Sequence, residues 1–166
     1  MGSTLLLLIL LSPLGGSAAV VPERQGWTIT GGLGGGRTAN RHGSLFGMAG
    51  SAGVGVVLGA NTVRLDYVAV GGETEIEPTA IRHSFFGLAL ERWFEDAFFL
   101  SAGAGWSTLT YSDRPDPRLG GSLALGGAPL WLGEHGAITL QLRFVAGAHR
   151  DVLHTTGAAL IGVAWR

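Results

Sequence analysis

The sequence predicts an all-β chain: eight antiparallel strands closed into an up-and-down transmembrane barrel, preceded by a cleaved signal peptide. Three observations predict it. Hydrophobic residues make up 46% of the 166 residues and charged ones only 14%, well under the roughly 25% usual in soluble domains. Apolar side chains recur at every second position in one stretch after another, the period of a strand rather than a helix. The alternate positions hold mostly glycine, alanine and serine, with 29 glycines in all. Such a face coats a solvated sheet badly, but it fits the narrow interior of an eight-stranded barrel.

The length allows one domain. A net charge of −1 gives no overall field to recruit nucleic acid, and every basic side chain is arginine. The absence of cysteine excludes disulfides, thiolate metal sites and a lipidated cysteine anchor.

Residues 5–11 are an unbroken apolar run, too short to span a bilayer as a helix. Pro13, Gly15 and Gly16 follow, then Ser17-Ala18-Ala19, small residues that suit signal peptidase. We expect a signal peptide over 1–19, a short N-terminal segment over 20–25 and the barrel over 26–166. The stretch before Leu5 departs from the usual pattern by carrying no lysine or arginine. An N-terminal membrane anchor is the alternative reading.

The first strand carries Trp27, Ile29, Gly31 and Leu33 on one face. In the second, Phe46, Met48, Val54, Val56 and Leu58 oppose Gly47, Ala49, Ser51, Gly53 and Gly55. In the third, Val63, Leu65, Tyr67 and Ala69 oppose Arg64, Asp66, Val68 and Val70. In the fourth, Phe86, Leu88 and Leu90 oppose Phe85, Gly87, Ala89 and Glu91. In the fifth, Phe98, Leu100, Ala102, Ala104 and Trp106 oppose Phe99, Ser101, Gly103, Gly105 and Ser107. Leu119, Gly121, Leu123 and Leu125 mark the sixth more weakly. The seventh alternates most strictly, with Ile138, Leu140, Leu142, Phe144, Ala146 and Ala148 against Thr139, Gln141, Arg143, Val145, Gly147 and His149. In the eighth, Ala159, Ile161, Val163 and Trp165 oppose Ala158, Leu160, Gly162 and Ala164. A soluble secreted barrel would turn the large apolar face inward and solvate the other. Here the large face is assigned to lipid, and closure of the sheet satisfies the strand edges, as hydrocarbon demands.

Connections alternate in length. Residues 37–43, 71–80 and 111–118 read as long outer loops, whereas 59–61, 94–96 and 133–136 read as tight periplasmic turns. The last outer connection, near Arg150-Asp151, is short. With both termini periplasmic, Trp27, Trp93, Trp131 and Trp165 form a periplasmic aromatic belt. Trp93 has inward parity, so Phe94 is the alternative member.

These features resemble the small eight-stranded outer-membrane barrels of the OmpA and OmpX type over about residues 26–166. The resemblance lies in strand number, loop alternation and a C-terminal strand, Gly157 to Trp165, that ends on an aromatic, although Arg166 follows it. It implies a bacterial outer-membrane protein inserted by the barrel-assembly machinery, in contact with outer-membrane lipid and lipopolysaccharide. It leaves the role open among structural, surface-interaction, membrane-stabilising and lipid-modifying proteins. We expect a monomer that binds no nucleic acid and needs no cofactor.

Inward parity gathers Arg64, Asp66, Glu91 and Arg143 into one expected lumen charge cluster, because enclosed charges must pair. It reads as a structural plug or as a switchable ion gate; inward Phe85 and Phe99 argue against an open pore. His42-Gly43-Ser44 and His83-Ser84 invite comparison with lipid A hydrolases, but only His42-x-Ser44 has their spacing and no acid partner is evident. His154-x-Thr156 lacks the serine. We expect no catalytic residues and no metal ligands. Arg37, Arg41, Arg82, Arg114, Arg118 and Arg150 crowd the outer rim, either as lipopolysaccharide phosphate contacts or as parts of solvated loops.

Overall fold

The computed structural model describes residues 25–41, 43–73, 80–95, 97–111, 114–149 and 152–166. The expected leader over 1–19 lies outside them, as do Arg150 and His42. Among the described residues all regular structure is β: β1 (Gln25–Asn40), β2 (Gly43–Leu58), β3 (Asn61–Glu73), β4 (Ala80–Phe94), β5 (Phe98–Tyr111), β6 (Arg114–Leu132), β7 (Gly136–His149) and β8 (Val152–Trp165). The barrel thus begins at Gln25, one residue before the expected boundary. Each strand pairs antiparallel with the next, and β1 pairs with β8 from Ile29↔Trp165 to Ala39↔Thr155, which closes the ring.

The register fixes the shape. Cross-strand partners followed from Ile29 through Val54, Leu65, Leu88, Ala104, Gly121, Ala146 and Thr155 return to β1 at Ala39, ten residues further along. Eight strands sheared by ten residues tilt by roughly 40° and enclose an interior just wide enough for side chains.

The alternation sorts the side chains as the sequence predicts. Trp27, Leu33, Phe46, Met48 and Leu119 point out of the ring, each more than 70% exposed. Phe85, Phe99, Val68, Arg64 and Asp66 point in and are covered. An apolar wall of this extent is untenable in water and natural in hydrocarbon. Small inward residues give the large ones room. Gly87 and Gly105 face each other across β4 and β5, and a Cβ on Gly87 would run into the Ala104 carbonyl and the Phe85 ring.

The inner turns follow expectation, with Gly59 and Gly133 in the left-handed region at φ 65° and 76°. The outer connections correct it. Residues 37–43 are mostly strand: β1 and β2 stay paired to Asn40↔Gly43, and the Asn40 side chain accepts the Gly43 N–H at 3.1 Å. Residues 114–118 are likewise strand, paired with β5 from Tyr111↔Arg114. Pro115 and Pro117 are tolerated there because β7 pairs with β6 only from Gly120 downward, which leaves this stretch as an edge. In both cases the ladder continues because backbone groups near the interface still gain from pairing. Of 71–80, the ends belong to β3 and β4.

The Gly87–Gly105 contact yields a prediction. Gly87→Val should destabilise the barrel by about 1–3 kcal/mol through overpacking. Its unfolding midpoint in urea, followed by the loss of the compact band in unheated gels, should fall relative to the native chain.

Candidate functional site

The lumen holds nearly all of the buried polar chemistry, in two separate layers. The first lies in the half of the barrel that contains both termini. Arg64 on β3 and Glu91 on β4 belong to neighbouring strands, and Arg64 Nη1 donates to Glu91 Oε2 at 2.6 Å. Arg64 Nε stands 3.4 Å from Asp66 Oδ1. From across the ring, Arg143 Nη1 donates to the other Asp66 oxygen at 2.5 Å. Arg143 Nε donates to Gln141 Oε1 at 2.9 Å, and the Gln141 amide donates in turn to Thr139 Oγ1 at 2.8 Å. The structure therefore brings Arg64, Asp66, Glu91 and Arg143 into one network, each no more than 3% exposed. Two guanidinium charges face two carboxylates, the balance that burial requires. Among the described residues Arg64 Nη2 and Arg143 Nη2 find no acceptor, which leaves the network incomplete there.

The tryptophans divide, which corrects the four-membered belt. Trp27 and Trp165 face outward at 73% and 59% exposure. Trp93 is buried in the lumen, where its Nε1–H donates to Glu91 Oε1 at 2.7 Å and its ring packs on Phe99 with centroids 4.9 Å apart. Trp131 packs half-buried against the same cluster. For Trp93 the cause is strand parity. For Trp131 it is the register shift between Gly127 and Leu130, which inserts an extra residue and turns the ring inward. Phe94 takes an outward place instead, stacked on Phe98 at 4.9 Å.

Above the charges lie apolar residues, with Phe85, Val68 and Val145 in one cluster and Ala49, Val70, Ala158 and Leu160 in another. Above those is a second polar layer that the sequence reading missed. His83 Nδ1 lies 2.6 Å from Thr156 Oγ1, and His83 Nε2 lies 2.6 Å from Ser107 Oγ. Ser107 Oγ is also 3.0 Å from His149 Nε2, and Thr156 Oγ1 is 2.9 Å from Thr38 Oγ1. Asp116 Oδ2 stands 3.7 Å from His149 Nδ1. Gly120 and Gly147, paired across β6 and β7, make the seat for Ser107, since a Cβ on either would collide with it. Parity alone would have pointed His83, His149 and His154 inward. Their common depth shows only when the full register is known.

The order Asp116–His149–Ser107 superficially resembles a hydrolytic triad. Ser107 is wholly covered, however, so no carbonyl carbon can approach its hydroxyl. Ser44, the serine of the His-x-Ser spacing, accepts a hydrogen bond from Arg37 Nη2 at 2.8 Å. Ser84 donates to the Thr108 carbonyl at 3.5 Å. Among the described residues no three imidazole or carboxylate groups are grouped to hold a metal ion.

Of the rim arginines, Arg37 and Arg82 are exposed on the outer wall, and the Arg37 guanidinium sits 5.2 Å from the centroid of the Phe46 ring. Arg41 and Arg114 are exposed at the outer strand ends. Arg118 Nε donates to Asp116 Oδ1 at 3.0 Å.

No family model and no curated protein matches the chain. Solved structures do. Neisserial surface protein A (NspA) superposes with a TM-score of 0.69 at 13% identity, over 86% of this chain and 99% of that one. Ail, the attachment invasion locus protein of Yersinia pestis, solved with the heparin analogue sucrose octasulfate, gives 0.58 at 13% identity over 86% and 99%. A second structure of Ail gives 0.51 at 14% identity over 86% and 100%. This is the fold of a small outer-membrane β-barrel. At such identity the likeness carries architecture and no residue roles, so the lumen layers rest on this chain's own geometry.

Glu91 accepts from both Arg64 and Trp93, so Glu91→Ala would leave two buried donors and one buried charge without their partner. We expect a loss of about 3–5 kcal/mol in unfolding free energy. Glu91→Gln, which keeps an acceptor oxygen, should lose less. Urea titration of both variants in detergent checks the order.

Proposed function

We propose that this protein resides in the bacterial outer membrane as a sealed, non-enzymatic barrel that stabilises the membrane and presents its outer strand ends to a partner. One observation carries the reading: a continuous apolar outer wall encloses a lumen crossed by successive layers of side chains. The apolar wall suits lipid. On this reading the crossing layers of aromatic rings, ion pairs, aliphatic groups and histidines fill the tube. The charge network then acts as a plug.

The outer rim supplies the contact surface. Arg37, held by Ser44 and Phe46 with its guanidinium exposed, is arranged to meet an anionic group at low entropic cost. Arg82, Arg41 and Arg114, also exposed, add positive charge elsewhere on the outer part of the barrel. Lipopolysaccharide phosphates are the partner this chemistry suits, since guanidinium pairs with phosphate bidentately. The Ail structure with sucrose octasulfate gives a precedent for a barrel of this fold holding a polyanion. The strand from Val152 to Trp165 would be the segment engaged by the assembly machinery, and the protein would act as a monomer.

Cell fractionation tests the placement. The protein should be found with the outer membrane and should migrate differently in gels with and without boiling; recovery in the soluble periplasmic fraction would defeat the reading. In planar bilayers the native chain should show no large steady conductance. Arg37→Ala combined with Arg82→Ala should reduce lipopolysaccharide retained after detergent extraction and leave folding intact. Unchanged retention would remove lipopolysaccharide as partner.

A further inference from the structure

Beside the histidine layer, the outer mouth of the lumen holds a pocket of about 260 Å³ to which β1, β5, β6, β7 and β8 all contribute. Its lining residues all have inward parity, so it belongs to the mouth at the end opposite the termini and not to the lipid wall.

Two polar atoms of the lining residues lack partners. His149 is 1% exposed, and its Nε2 lies 3.0 Å from Ser107 Oγ, whereas its Nδ1 makes no hydrogen bond. Asp116 Oδ1 accepts from Arg118, whereas its Oδ2 makes none. The two unmet atoms stand 3.7 Å apart, beyond hydrogen-bond reach of each other. A single oxygen placed between them would be in reach of both. Asp116 is the partner that can move, since Arg118, which holds it, is 54% exposed. A small turn of that pair uncovers both atoms.

The carboxylate decides which nitrogen of His149 carries the hydrogen. A bare Nδ1 lone pair facing Oδ2 would be repelled, so the hydrogen sits on Nδ1. The bonds beneath agree with that direction: Ser107 donates to His149 Nε2 and accepts from His83 Nε2–H, and Thr156 donates to His83 Nδ1. The pair therefore offers one donor and one acceptor. A hydroxyl answers both, donating to Oδ2 and accepting from Nδ1–H. An ammonium brings no acceptor, and an ionised carboxylate brings no donor.

Water has the same two abilities, but the rest of the lining suits something larger. Leu109, Val152 and the Tyr111 ring present apolar surface, and Arg114 adds donors at the rim. The volume is many times the roughly 30 Å³ share of one water. It falls just below the roughly 300–1,000 Å³ of pockets for drug-sized ligands. A hydroxylated ring with an apolar C–H face matches this combination.

We propose that the outer mouth is a binding site for a single pyranose, free or at the end of a glycan chain. Asp116 and His149 share one of its hydroxyls, Leu109, Val152 and Tyr111 cover its C–H face, and Arg114 donates to a hydroxyl at the rim. Arg37 stands exposed on the outer wall and takes no part. The site is thus independent of any lipopolysaccharide phosphate held there.

Saturation-transfer NMR on the folded full-length chain, in micelles of a detergent without a sugar headgroup, tests the site. The probes are glucose, galactose and N-acetylglucosamine, each free and as its methyl glycoside, at up to about 50 mM, where a weak single-ring site fills. At least one should receive saturation. Asp116→Ala should weaken its binding roughly tenfold or more, and Tyr111→Ala should weaken it several-fold. Both variants should keep the migration difference between boiled and unboiled samples; if one fails to fold, the other decides. A response to methyl glycosides assigns the end of a glycan chain, and a response to free sugars alone assigns a monosaccharide. No response to any of the probes would overturn the site. So would a response that the folded variants retain in full, or one displaced equally well by acetate or ethylammonium.

Discussion

Closure of the sheet is the constraint on which everything else depends. A strand in hydrocarbon must pair both of its edges, and pairing of β1 with β8 at a shear of ten residues achieves this for the whole ring. Closure then divides the side chains by parity, one set to lipid and one to a tube too narrow for many large groups. Inward glycines are the consequence where strands approach most closely, as at Gly87 with Gly105 and at Gly120 with Gly147. Buried charge is the second consequence. Arg64 and Arg143 cannot reach water from the middle of the tube, so Glu91 and Asp66 must come to them.

The interior is thereby organised in depth. Trp93 and Phe99 floor it, the ion pairs lie above, a layer of Phe85 with valines follows, and hydroxyls and imidazoles fill the outer end. The apolar layer matters electrostatically, because it keeps two polar networks from exchanging partners. Each network is built from strands far apart in sequence and so acts as a cross-brace between opposite walls. Arg143 to Asp66 spans 77 residues, and His83 to Thr156 spans 73. Breaking either brace costs more than the bond itself, because its remaining partner stays buried.

Much of this was legible in the sequence. Period-two alternation marked the face of Arg64, Asp66, Glu91 and Arg143, and counting from the shared turn placed Arg64 and Glu91 at similar depth. Parity also warned that Trp93 belonged inside. Trp131 was illegible, because a bulge between Gly127 and Leu130 leaves no clear mark in a stretch of glycine, alanine and proline. The histidine layer was missed for a different reason. Asp116 sits between two prolines that read as loop, and only the strand extension above the barrel brings it to His149. The outer extension of β6 was hidden by those prolines and that of β1 by the run Arg37-Thr38-Ala39-Asn40, residues that suit loops and ladder ends equally.

The division of the chain between lipid and lumen can be measured directly with its five tryptophans. Single-tryptophan variants, with the other four replaced by phenylalanine, would be reconstituted in bilayers of lipids brominated along their acyl chains. Fluorescence of Trp27, Trp106 and Trp165, all outward, should be strongly quenched. Trp93, enclosed beside Glu91 and Phe99, should escape quenching. A Trp93 quenched as strongly as Trp106 would contradict the inward assignment, and with it the account of a lumen braced by buried charge.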